Sequence, residues 1–255
     1  MPSFKRQLAH LAERVSGAII VHPEELHQLP ERVHLRRFFK HFEVDCVFDV
    51  GANIGQYAQH LREEVGYEGA IISFEPMPHA VEQLQKRAVG DPNWHIVELA
   101  LDRESGPASF NVMESDTFSS LHAPLADQPN AFNAQNVIRQ QIQVMRSTLA
   151  LEFPKWREKL GFSRPFLKMD TQGHDLAVFE GAGDTVSAFV GLQSELSLRL
   201  LYEGTPGFTE SLDAYSKRGF RLSALVPNTA GIFPDLIEMD CIMYQAAFSK
   251  PRQVG

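Results

Sequence analysis

Eight consecutive residues, Lys168-Met169-Asp170-Thr171-Gln172-Gly173-His174-Asp175, form the chain's richest cluster of reactive side chains. They follow an apolar run, so they fall at the carboxyl end of a buried strand, where open α/β sheets bind ligands. Asp170 ends that strand and is the expected ligand-contacting carboxylate. Gly173 permits a turn. His174 opens the next helix and titrates near neutral pH, which makes it the expected general base; a solvent-exposed helix-start histidine is the alternative. Lys168 suits an ion pair with a neighbouring carboxylate. Glu195 ends a second apolar run, Gly191-Leu192-Gln193-Ser194-Glu195. If the two strands are neighbours, Asp170 and Glu195 face one pocket. Two such carboxylates can orient hydroxyls, raise one another's pKa, or hold a divalent cation. Glu195 could instead pair with Arg199, one helical turn on. His122, just after Ser119-Ser120-Leu121, is the alternative base, and Phe110, Phe118, Phe132 and Trp156 are candidates to line the acceptor side.

A second constellation lies earlier, in Phe48-Asp49-Val50-Gly51-Ala52-Asn53-Ile54-Gly55. It leaves a strand and opens a helix. Gly51 lets the backbone turn tightly, and Gly55 lets helix and strand pack closely. The loop and helix amides offer donors to a polar ligand. The spacing is Gly-x-x-x-Gly and lacks the middle glycine that admits a pyrophosphate. That disfavours NAD or FAD and favours a nucleoside without phosphates. Glu75 ends the next strand, twenty residues beyond Gly55. A carboxylate there can accept hydrogen bonds from both ribose hydroxyls.

The elements that must position these groups alternate. Strands are expected at Cys46–Val50, Ala70–Glu75, Trp94–Leu99, Phe166–Asp170, Phe189–Glu195, Phe220–Leu225 and Met239–Gln245, with helices at Gln56–Val65, His79–Val89, Leu149–Leu160 and Thr209–Arg218. Continuous apolar strands between helices predict a mainly parallel sheet covered on both faces. Pro227–Pro234 reads as a loop, so the last two strands pair antiparallel. Residues 1–42 read as an amphipathic helical extension, with Phe4, Leu8, Leu11, Val15 and Ile19 at helical spacing. It would cover the sheet or meet a second copy of the chain. The main domain then spans 43–255, with a substrate-side insertion at about 113–160 that begins as a polar loop.

Composition narrows the classes. Hydrophobic residues make up 44% and charged residues 22%, and the formal net charge is −8. Such a chain lacks the basic footprint of a general nucleic-acid binder. Two cysteines, Cys46 and Cys241, sit in apolar runs and read as buried free thiols. With no leader pattern and no run long enough to span a bilayer, a cytoplasmic protein without stable membrane insertion is expected.

Several segments in order resemble the FkbM family of class I S-adenosylmethionine-dependent methyltransferases. They are Val47 to Gly55, Phe74-Glu75-Pro76, Ala100 to Gly106 (Ala-Leu-Asp-Arg-Glu-Ser-Gly), Ser119-Ser120-Leu121 and Leu167 to Asp175. The resemblance runs from about Val47 to Glu195 and more weakly to Tyr244. It implies an α/β, Rossmann-like class I sandwich with a seven-stranded, mostly parallel sheet and an antiparallel last strand. It implies S-adenosyl-L-methionine as methyl donor and O-methylation of a saccharide or natural product. By the same resemblance Asp49, Gly51, Asn53 and Gly55 line the methionine and ribose end. Glu75 holds the ribose, Ala100, Leu101 and Asp102 lie near the adenine, and Asp170 lies beside the methionine amino group and the acceptor. Two positions depart from the family pattern: Ala150 stands where Thr-Leu-Asp is usual, and Asp175 where a glutamate is usual. They leave room for a cofactor-binding module without catalysis. An oxidoreductase using NAD on a similar sheet is the other competitor.

Overall fold

Residues 28–130, 132–227 and 234–249 are described by the computed structural model; the expected Phe4–Ile19 stripe lies outside them. The central strands are β1 (Cys46–Val50), β2 (Ala70–Phe74), β3 (Trp94–Val97), β7 (Pro165–Met169) and β8 (Gly191–Ser197). Every residue of β1 and β7 is buried, which explains their unbroken apolar sequences. With β9 (Phe220–Pro227) and β10 (Glu238–Gln245) they form one seven-stranded sheet in the order β3-β2-β1-β7-β8-β10-β9. Neighbours from β3 to β8 are parallel, and β10 runs antiparallel to both β8 and β9. The mostly parallel sheet with an antiparallel last strand is thus the fold.

Helices cover both faces. On one face α1 (Leu29–Phe42) and α2 (Gln56–His60, continued by a π turn at Leu61–Val65) bury Leu35, Phe38, Phe39, Phe42, Ala58 and Leu61 against Val47, Phe166, Val190 and Ile242. The helix α3 (Pro78–Ala88) adds Leu84 to this side. On the other face α4 (Leu149–Leu160), α5 (Asp175–Gly181) and α6 (Phe208–Lys217) bury Phe153, Val178, Phe179 and Tyr215 against Phe48, Leu167, Leu192 and Met243. Leu29–Phe42 is therefore one layer of the sandwich, covering the sheet. Cys46 and Cys241 are buried and unpaired, as their sequences predicted.

The expected insertion at 113–160 is drawn differently. Its helix, α4, belongs to the main core through Leu149 and Phe153. The inserted unit is a second, three-stranded sheet with β6 (Ile138–Ser147) between β4 (Ala100–Leu101) and β5 (Gly106–Met113). It begins at Ala100 because β4 pairs in parallel with β6. Among the described residues no helix is long and apolar enough to cross a membrane.

Candidate active site

A cleft opens at the carboxyl ends of β1, β2, β7 and β8, and the small sheet and the chain after β5 wall its far side. The β1–α2 turn needs its glycines for close approach. Gly51 has φ 79°, and a Cβ there would lie 1.9 Å from the Asp170 carbonyl oxygen, so any side chain would push the loop off the end of β7. A Cβ on Gly55 would meet Trp94 at 2.8 Å and Leu84 at 2.9 Å. Gly55 thus serves packing, while Gly51, Asn53, Gln56 and Tyr57 form cleft wall.

Glu75 is only 3% exposed and also lines the cleft. Its Oε2 accepts a hydrogen bond from the Asn53 N–H at 2.8 Å, and its Oε1 accepts one from the Met77 N–H at 2.9 Å. The carboxylate therefore braces the turn whose ligand it is expected to bind. Burial pushes its pKa up to about 7, against the pull of those two amides. Asp49 lies apart from the cleft wall. It is fully buried, and its Oδ2 accepts from the Ser73 hydroxyl at 3.0 Å. Ala100 and Leu101 line an apolar stretch with Leu99 and Phe110. Asp102 instead turns to Arg146, whose guanidinium donates to it at 2.6 Å.

At the other end Asp170, Gln172 and Glu195 stand together in the wall. Lys168 is 5% exposed, and its ammonium donates to Asp170 Oδ2 at 3.0 Å, which is the ion pair expected of it. Burial raises the Asp170 pKa, but Lys168 and Gln172 outweigh it and keep the group below its ordinary value. Gln172 is the side chain of this wall to which the sequence assigned no role. Its Nε2 donates to Asp170 Oδ1 at 2.9 Å and to Glu195 Oε2 at 3.1 Å. Its Oε1 accepts from the Tyr202 hydroxyl at 2.9 Å, and its backbone sits at φ 52°. An uncommon left-handed glutamine beside a glycine was the available signal. Glu195 is pushed well above the carboxylate range by burial, then by Glu238 and Asp170.

His174 lines the cleft but is 7% exposed, not the open helix-start residue that was the alternative. Its Nδ1 lies 2.9 Å from His122 Nε2, and its Nε2 lies 2.9 Å from Asp102 Oδ1, close though poorly aligned as a hydrogen bond. Both nitrogens face protein groups, so neither is directed at an acceptor. The two candidate bases of the sequence form one pair, 52 residues apart in the chain. The pair anchors the chain after β5, as does the Ser120 hydroxyl, which donates to the Gln172 carbonyl at 2.8 Å. Asp116, Thr117, Ser119 and Leu121 of this segment face the cleft. Phe110 lines it too; Phe118 packs on Phe132, and Trp156 joins the main core.

Neither family departure lies in the wall. Asp175 is buried, accepting from Thr171 N–H at 2.8 Å, Ser194 O–H at 2.8 Å and Glu195 N–H at 3.0 Å. Ala150 is exposed in the first turn of α4. Among the described residues no group of three or more His, Cys, Asp or Glu is placed to hold a metal ion. The donor set suits a phosphate-free nucleoside joined to an amino acid. It has a carboxylate at Glu75 for hydroxyls, an apolar stretch at Leu99–Leu101 for a base, and the Asp170 carboxylate for an ammonium group.

Solved structures with a similar fold include the methyltransferase FkbM of Methylobacillus flagellatus KT, at 15% identity and TM-score 0.47, covering 79% of this chain and 44% of that one. The fibrillarin of Aeropyrum pernix with natively bound S-adenosyl-L-methionine is another, at 12% identity and TM-score 0.42, covering 78% and 66%. An rRNA methylase of Streptococcus thermophilus follows at 12% identity and TM-score 0.41, covering 89% and 99%. The chain thus spans less than half of the first of these proteins. No curated protein sequence matches it. The family model for the methyltransferase FkbM domain matches residues 49–222, the stretch that builds the turn at Gly51, Glu75 and the Asp170–Glu195 pair; the chain belongs to the FkbM methyltransferases.

Proposed function

We propose that this protein transfers a methyl group from S-adenosyl-L-methionine to a hydroxyl oxygen of a sugar or a glycosylated small molecule. The observation that carries this reading is the Asp170–Gln172–Glu195 arrangement in the cleft wall. Two carboxylates sharing one amide offer the acceptor pattern that orients a hydroxyl group. The sulfonium supplies an electrophilic methyl, and an alcohol needs alignment and removal of its proton to attack it. Burial, then Glu238 and Asp170, raise the Glu195 pKa and make it the more basic of the two carboxylates, while Lys168 keeps Asp170 below its ordinary value, ionised and able to hold the substrate. His174 then acts as a positioning residue, through His122 and the segment over the cleft. Two buried free thiols fit a reducing, cytoplasmic setting.

Replacing Glu195 by Gln keeps the shape and removes the base. Turnover should fall about 10²–10⁴-fold, with S-adenosylhomocysteine affinity unchanged in calorimetry. A variant that retains most of its turnover would dismiss Glu195 as the base.

A further inference from the structure

A second cavity, of about 330 Å³, adjoins the cleft on the α1 side of the sheet. Gln56, Tyr57, Lys168 and Asp170 line both spaces, so the two meet at the Asp170 end, away from Glu75. A molecule held there has its inner edge at Asp170, in the wall of the cleft.

The walls of this cavity are built and polar. Gln193 is 1% exposed on β8. Its Oε1 accepts from the Tyr57 hydroxyl at 3.0 Å, and its Nε2 donates to Glu31 Oε1 at 2.6 Å. A fully buried amide thus fixes one carboxylate of α1 at the rim. His60 also lines the cavity; its Nε2 is buried and has no hydrogen-bond partner. Burial lowers the His60 pKa despite Glu31 and Glu64, so the ring stays neutral with that nitrogen unsatisfied. Asp240 on β10 completes the wall, in register with Glu195.

Charge decides what would fill it. Three carboxylates, Glu31, Asp170 and Asp240, face one cation, Lys168, which is already joined to Asp170. Among the described residues neither Glu31 nor Asp240 has an ion-pair partner. Burial, then Glu31 and Asp170, push Asp240 well above the carboxylate range, with Lys168 opposing. Half-buried carboxylates without a cation are costly, and a ligand that brings the cation removes the cost. A neutral polyol would satisfy the amides, the phenol and His60 but would leave Asp240 beside Glu31 and Asp170 without a cation to ionise it.

We propose that this cavity is the acceptor site, and that its ligand is an amine-bearing, hydroxyl-rich small molecule of the amino-sugar class. The ammonium group lies between Glu31 and Asp240, hydroxyls meet Gln56, His60 and Tyr57, and the hydroxyl to be methylated points past Asp170 into the cleft. This rests on the methyltransferase reading above and adds the substrate class to it.

Three disaccharides of one shape test it by calorimetry against protein saturated with S-adenosylhomocysteine: β-1,4-linked glucosamine dimer, its N,N′-diacetyl form, and cellobiose. The free amine form should bind at least tenfold more tightly than either neutral sugar. Asp240→Asn and Glu31→Gln should each erase most of that preference and leave S-adenosylhomocysteine affinity unchanged. Equal affinity for the three sugars, binding of none, or a preference untouched by both substitutions would overturn the assignment. The wild-type sugar series decides even if a variant fails to fold. Failure of S-adenosylhomocysteine to bind the wild-type protein is a separate result and would strike the methyltransferase reading itself.

Discussion

On the proposed reading Glu75 has two tasks in one side chain, because the anion that accepts from the amides of Asn53 and Met77 is also the expected acceptor for the ribose hydroxyls. Its pKa near 7 sets the sign of the pH effect. Ligand binding favours the anion, so S-adenosylhomocysteine affinity should rise with pH towards about 7 and level off above it. In the free protein the raised value works the other way. The stability it contributes is fully present below its ordinary 4.5 and is lost as pH climbs through about 7. Glu75→Gln should cost at least tenfold in affinity at pH 8, at ~1.5–3 kcal/mol for hydrogen bonds to a charged group, and should abolish the pH limb. Calorimetry across pH 5.5–8.5 checks both, and an unchanged affinity in the folded variant refutes the ribose role. Glu75 and Gly51 were legible because strand ends and glycine turns are local patterns. Gln172 was not, since its role exists only when β8 and Tyr202 arrive beside it.

At the scale of elements, the strap over the cleft depends on His122 and His174. Burial, then His174, lower the His122 pKa. Asp102, although burial raises it, is held below the carboxylate range by His174 and Arg146. His174→Ala should cost about 1–3 kcal/mol of stability through the partners left unsatisfied. Hydrogen exchange should quicken across residues 114–127 while S-adenosylhomocysteine affinity holds. Unchanged exchange with a 10²–10⁴-fold loss of turnover would instead return His174 to the role of base. The small sheet that carries this strap was hidden in the sequence for a physical reason. Ile138–Arg139-Gln140-Gln141-Ile142-Gln143 is mostly exposed, so β6 shows little apolar signal, and β5 opens on Gly106-Pro107. The main strands, buried on both faces, announced themselves.

For the whole molecule, α1 is the element whose status the sequence left most open, and the packing answers it. Phe38 is 4% exposed, lies tilted against Phe42 and edge-on to Phe166, and fills the space above Gly191, where a Cβ would lie 2.4 Å from its ring. Phe38→Ala should cost about 3–5 kcal/mol in urea denaturation, and a loss under about 1 kcal/mol would show α1 to be dispensable. The same helix carries Glu31, so the layer that completes the fold also reaches the second cavity. Transfer itself is the most direct test of the account. Protein given methyl-labelled S-adenosyl-L-methionine and a panel of hydroxyl-bearing and aminated saccharides should place one label on an oxygen of the product, and Glu195→Gln should slow that transfer without weakening cofactor binding. Label found on nitrogen or carbon, or no transfer to any saccharide by a protein that binds the cofactor, would contradict it.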